Sequence, residues 1–192
     1  MTTTWNIPTD LWAGETVAVL APGPALTKDL ADSVRQHKRI AVRRAFEMAP
    51  DADMLVSLDG PTGSLDDAFW DAAKDFAGLK VCGVERDDVD ALYCGMHYET
   101  VEMGPSERIE IRNNGLAAIR IAQLAGAAKV LLVGFDADRY EALHGFRGLA
   151  EGLLQIIDEL RGKGLEVETV AAPAPALAPP SRRSRSVERD PE

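Results

Sequence analysis

The 192-residue chain is poor in several things at once. It has only two cysteines, Cys82 in an apolar run and Cys94 in a loop-like segment, which excludes a disulfide-stapled scaffold and points to reduced thiols. No apolar run approaches the roughly 18 residues of a membrane span. The opening MTTTWNIPTD lacks both the basic n-region and the apolar core of a signal peptide. Together these absences predict a cytoplasmic protein with no membrane partner. Positive charge is also scarce, with 21 Lys and Arg against 31 Asp and Glu, a net charge of −10. From Ala171 onward four Arg face three acids, so residues 1–170 carry about −11. Such an acidic body excludes nonspecific nucleic-acid binding, which needs many phosphates neutralised. It also makes an arginine at the mouth of a pocket more informative. There is no internal repeat.

What is present is an ordinary hydrophobic fraction of 46% in a chain long enough for one domain with a real core. Short apolar runs at residues 16–20, 39–42, 54–58, 79–84, 129–133 and 165–170 read as strands, with a weaker candidate, YETVEM, at 98–103. Helical patterns lie between them. Leu26, Leu30 and Val34 share one spacing; Leu65, Phe69, Ala72, Ala73 and Phe76 form a stripe behind Ser64 as N-cap. A third helix runs from about Asn113 to Gly126, and the longest from Phe146 to about Arg161, stopped by Gly162 and Gly164. Strands that are apolar throughout and separated by helices imply a parallel sheet covered on both sides. The predicted fold class is therefore α/β, a single Rossmann-like domain over residues 1–170 with a mostly parallel sheet. The Pro/Ala then Arg/Ser segment 171–192 has almost nothing to bury and is expected to be a disordered tail. Trp5 and Trp12 are expected to pack the N-terminal segment onto the sheet edge.

In such a sheet ligands bind beyond the carboxyl ends of the strands. That rule selects Gly23, Pro24 and Ala25 after the first strand, Arg43 and Arg44 after the second, and Asp59 after the third. Gly134 and Asp136 follow the 129–133 strand. If YETVEM is a parallel strand, Asn113, Asn114 and Gly115 reach the same rim. Gly23 either makes a tight turn or lets backbone approach a ligand, and the helix start that follows offers N–H groups to an anion. One Asn of RNNG suffices to cap a helix, which leaves the other, with Gly115, for a phosphate or ribose. Arg43 and Arg44 are either solvated or phosphate clamps. Asp59 and Asp136 suit sugar hydroxyls, a divalent metal or a local cap. His144, just before the longest helix, is the best-placed general acid or base. Cys94-x-x-His97 is too short a pattern for a metal site.

Four segments occur in a telling order: VAVLAPGPAL, RIAVRRAFEMAPDADMLVSLD, NNGLAAIRIAQLAGAAKVLLVGFDA and HGFRGLAEGLLQIIDELRGKGLEVET. Over about residues 16–170 the chain resembles small phage and bacterial proteins related to the bacterial α-2,3/2,8-sialyltransferases, and archaeal 6-hydroxymethylpterin diphosphokinase-like domains. The resemblance implies that Gly23, Pro24, Ala25, Arg43, Asn114 and Gly115 surround a nucleotide such as CMP. Asp59 and Asp136 match acidic positions, and His144 corresponds by region to the family's catalytic base. Ala25, Arg43 and Asn114 stand where the family pattern has Ser, Asn and Ser.

The expected activity is that of a nucleotide- or nucleotide-sugar-binding protein, glycosyltransferase-like if active. In that reading Asp136 orients a sugar, His144 deprotonates the acceptor, and no metal is required. One alternative is a Mg²⁺-dependent pyrophosphotransferase with Asp59 and Asp136 on the metal. The other is a non-catalytic phage or bacterial accessory protein that binds a nucleotide or a partner, in the host cytoplasm if phage-encoded. A homo-oligomer is compatible with all three.

Overall fold

The structure is a computed structural model that describes residues 8–57, 64–82, 92–93, 101–102, 108–109, 114–136 and 149–170. The apolar runs become strands β1 (Thr16–Leu20), β2 (Lys38–Val42), β3 (Met54–Ser57), β4 (Leu79–Cys82) and β5 (Leu92–Tyr93). Short strands β6 (Val101–Glu102) and β7 (Arg108–Ile109) follow, then β8 (Lys129–Val133) and β9 (Glu166–Val170). Seven of these form one sheet in the order β5-β4-β3-β2-β1-β8-β9, and every pairing in it is parallel. Of the YETVEM segment, the two described residues do not join it. They form β6, paired antiparallel with β7 in a separate two-stranded ladder.

Alternate residues of each strand feed two cores. Val17, Val19, Ile40, Val42, Val130 and Leu132 pack beneath helices α3 (Asn114–Leu124) and α4 (Leu149–Gly162). On the other face Ala18, Leu20, Ala41, Leu55, Leu131 and Val133 pack with α1 (Lys28–Asp32), a 3-10 helix (Arg43–Glu47) and α2 (Ser64–Ala73). Burying one such Leu or Val side chain stabilises the fold by roughly 1.5–3 kcal/mol. The chain is thus a single Rossmann-like α/β domain with helices on both faces of a parallel sheet.

Several helices differ from their sequence patterns for tertiary reasons. The spacing of Leu26, Leu30 and Val34 is helical, yet α1 holds five residues: Leu30 is buried from the helix itself, and Leu26 and Val34 from the turns on either side. In α2 the buried stripe is Phe69, Trp70 and Ala73, with Ala72 exposed. Trp70 and Phe69 meet edge to face at 5.0 Å, so two adjacent aromatics share the core-facing side. Helix α3 is buried from Gly115 to Ala122, Arg120 included, because α4 covers the side turned away from the sheet. Trp12 packs against the end of α3, its backbone N–H donating to Ala125 O at 2.8 Å. Trp5 lies outside the described residues.

Within the seven-stranded sheet, charge sits at the amino ends of the strands and on the edge strand β9. On β9 the exposed Glu166 and Glu168 both reach Lys129 Nζ, at 2.6 and 2.7 Å. The hydrogen bonds that Lys129 donates to these carboxylates hold it above the usual lysine range. At the amino edge, Asp53 accepts from Lys38 Nζ at 3.0 Å and from the Arg39 backbone N–H at 2.9 Å. Asp51 Oδ1 receives Arg39 Nη2 at 2.9 Å and its Oδ2 receives Arg35. Partial burial pushes the Asp51 carboxyl up, but its bonds to Arg39 and Arg35 outweigh this and hold it below its ordinary value of 3.8.

Because the folded carboxyl releases its proton at lower pH than the unfolded one, the unfolded chain binds more protons in that window. The stabilisation is complete above about 3.8 and is lost as pH falls through the lower folded value. Urea unfolding should therefore show Asp51→Asn less stable than wild type by a constant margin from about pH 7 to 5. That margin should narrow below about pH 4.

Candidate functional site

Successive strands β1 to β5 step outward in one direction, whereas β8 and β9 lie on the other side of β1. The strand order therefore reverses between β1 and β8. In open parallel sheets the carboxyl ends of the strands flanking such a reversal leave a crevice, because the connecting helices depart to opposite faces.

The walls of the crevice are the exits of β1 and β8. Ala21 N donates to Val133 O at 2.9 Å, which carries the ladder one residue beyond the strands. The two chains then converge at Gly23 and Gly134. A Cβ on Gly23 would sit 2.6 Å from the Gly134 carbonyl oxygen. Gly134 has φ +75°, and a Cβ there would meet Ala21 O at 2.7 Å and Leu26 Cβ at 2.9 Å. Gly23 is needed because another backbone passes against it, a stronger demand than a tight turn alone. Pro24 is exposed and Ala25 half-buried. The helix beyond does not begin at the turn. Thr27 intervenes, and its Oγ1 accepts from Leu30 N at 3.1 Å, so an N-terminal donor expected to face a ligand is already capped.

Arg43 leaves β2 with φ 45°, the one positive φ on a non-glycine among the described residues. For an arginine this left-handed conformation is unfavourable by about 1–2 kcal/mol. Its guanidinium carbon lies 5.0 Å from the centroid of the Phe69 ring. That cation–π contact holds the head over α2 and offsets part of the strain. Arg44, one residue on, is exposed and pairs with Glu47 along the 3-10 helix.

Asn114 and Gly115 open α3, half-buried and buried respectively. The far end of this helix is anchored at the amino edge, where Gly14 N donates to Gly126 O at 3.0 Å. At about 1.5 Å rise per residue its 11 residues return Asn114 to the carboxyl edge, matching the length of the neighbouring strands. Helix α3 thus reaches the rim without YETVEM acting as a parallel strand. Asp136 is half-buried, two residues past Gly134. The described candidates Gly23, Pro24, Ala25, Arg43, Asn114, Gly115, Gly134 and Asp136 consequently share one edge of the sheet, around β2, β1 and β8. Asp59, Asn113 and His144 lie outside the described residues, as do Cys94 and His97.

Two polar groups on the α1/α2 face escaped the sequence reading. Among the described residues, Ser57, wholly buried at the end of β3, has a hydroxyl with no hydrogen-bond partner, and the Trp70 indole N–H likewise has none. Val42 pairs with Val56, so Arg43 leaves β2 level with Ser57, which itself pairs with Cys82. A buried polar group left unsatisfied costs about 1–3 kcal/mol. The only signal in the sequence was a serine interrupting the apolar run MLVSL. Among the described residues no three His, Cys, Asp or Glu side chains gather to hold a metal ion. No protein family and no curated protein matches the chain in sequence.

The crowding at Gly134 separates two effects that glycine substitution usually merges. Gly134→Ala is expected to destabilise by about 2–4 kcal/mol, from backbone strain plus overpacking. Gly164 has φ +87° with nothing within 4 Å of an added Cβ, so Gly164→Ala should cost only about 1 kcal/mol. Urea denaturation of the two variants measures the difference.

Proposed function

We propose that the crevice between β1 and β8 binds a nucleotide or nucleotide sugar, and that the protein is a glycosyltransferase-like enzyme acting through that ligand. The reading is carried by the reversal of strand order, which places Gly23, Arg43, Asn114 and Asp136 around the one edge where parallel sheets take ligands. The glycine-bearing exits of β1 and β8 let a phosphorylated group approach backbone. Arg43 supplies a cation in an acidic protein, and its strained backbone is the kind of outlier that collects at ligand clamps.

The magnitudes suit a reversible metabolite complex. One charge-assisted hydrogen bond from Arg43 contributes about 1.5–3 kcal/mol. The N-terminus of α3 adds about 0.3–1 kcal/mol toward an anion. Together these two contacts supply about 2–4 kcal/mol, the millimolar end of the affinity scale, and burial of a base would add to it. In the transferase reading Asp136 hydrogen-bonds a sugar hydroxyl and His144 takes the acceptor proton, the pairing that the sialyltransferase resemblance implies.

Thermal-shift titration with CMP, other nucleoside phosphates and CMP-sialic acid tests the proposal, with and without Mg²⁺. Stabilisation is expected without Mg²⁺. Stabilisation that needs Mg²⁺ would favour the pyrophosphotransferase alternative, and silence toward every nucleotide would remove the reading. Arg43→Gly relieves the left-handed strain while losing the Phe69 contact, so stability should stay within about 1 kcal/mol of wild type. The same change should weaken nucleotide binding about tenfold or more. Turnover abolished by His144→Ala, with binding intact, would distinguish an enzyme from a nucleotide-binding accessory protein.

A further inference from the structure

The exit of β2 holds an arginine at φ 45°, a left-handed backbone that glycine or asparagine adopts more readily. Either would make the turn at less strain. What distinguishes the arginine is where its head goes. The Arg43 guanidinium carbon lies over the Phe69 ring, 5.0 Å from its centroid, on the α1/α2 side of the sheet. That is inside the roughly 6 Å at which a ring face attracts a cation.

Phe69 is suited to hold a cation in one place. It is 1% exposed, within α2, and two other aromatic rings grip it edge to face. Phe46, three residues after Arg43 on the same 3-10 helix, meets it at 6.1 Å, and Trp70 meets it at 5.0 Å. Phe46 also meets Phe76 at 6.4 Å, which extends the cluster past the end of α2. A ring gripped in this way presents one fixed face. A guanidinium resting on it gives up its rotamer freedom when the protein folds, not when a ligand arrives. Attraction to a ring face uses no oxygen acceptor, so one arginine can hold a ring and an oxyanion together.

We infer that Phe69 is a positioning residue: it fixes the Arg43 guanidinium at the carboxyl edge so that Arg43 selects ligands by their phosphate, a role that rests on the nucleotide reading above. Burial alone asks only for an apolar side chain at position 69, and the arginine adds the demand for an aromatic face. With the ring's attraction removed, the ligand itself must order Arg43. Affinity for the phosphate then falls while contacts to base and ribose stay. A contact that merely stapled the 3-10 helix to α2 would behave differently: its loss would lower stability and leave the ligand preference alone.

Calorimetric titration of the full-length protein with CMP, UMP, AMP and GMP, each beside its nucleoside, measures the preference for the phosphate, expected to be about tenfold or more. Phe69 is then replaced by pentafluorophenylalanine, which keeps the ring's shape and reverses the charge of its face, and in a second variant by Phe69→Leu. Each should weaken nucleotide binding about three- to tenfold and leave nucleoside binding unchanged. In an Arg43→Gly background neither change at position 69 should alter nucleotide binding further, because its partner is gone. Urea unfolding reads the stability of each variant separately. A phosphate preference that survives fluorination, whatever happens to stability, or an effect that persists in Arg43→Gly, would overturn the positioning role and leave the nucleotide site standing. If the wild type binds none of the four nucleotides, the nucleotide reading falls and the role of Phe69 falls with it.

Discussion

Covering both faces of a parallel sheet leaves its strands no side to offer water. Every residue of β1 from Val17 to Leu20, and of β8 from Val130 to Val133, is buried, with Val17, Val19, Val130 and Leu132 in one core and Ala18, Leu20, Leu131 and Val133 in the other. Within the sheet, polar side chains are thereby moved to the two ends of the strands. That single constraint explains why the carboxyl edge collects Gly23, Arg43 and Asp136, and why the amino edge collects Arg39, Asp51 and Asp53. The two ends are built differently. At the carboxyl end glycine backbones abut and an arginine sits in a strained conformation. At the amino end carboxylates and cations interlock.

The central sheet was legible in the chain because a doubly covered strand has only one way to look: four or five apolar residues with β-branched members. The runs at 16–20 and 129–133 coincide with β1 and β8 to the residue. The rule that ligands sit past the carboxyl ends then places Gly23, Arg43 and Asp136 together with no further information. Helix lengths were less readable. Side-chain spacing reports which residues are buried, and Leu26, Leu30 and Val34 are buried. Leu30 is held by a five-residue helix, and Leu26 and Val34 by the turns that flank it.

What escaped the sequence reading depends on contacts between distant segments. Nothing near Gly23 announces that Gly134 will press against it, because 110 positions of chain separate them. The left-handed conformation of Arg43 is equally hidden, since arginine rarely adopts it and no local pattern demands it. Arg39 follows Lys38 at the start of β2, and the bonds that hold its buried side chain come from Asp51, beyond the 3-10 helix. YETVEM shows the converse error: a plausible alternation found a different partner, β7, and a different ladder. Local pattern fixes an element's type more surely than its neighbours.

The outermost strand, β9, presents one flank of its backbone to no described partner. Such a flank invites a foreign chain to continue the sheet. The upright pair Glu166 and Glu168, pinned by the lysine of the adjacent strand, turns this invitation into a repulsion. A copy approaching in register would bring its own two acids against them, so fibre-like growth along that rim is discouraged by electrostatics already built into the native molecule.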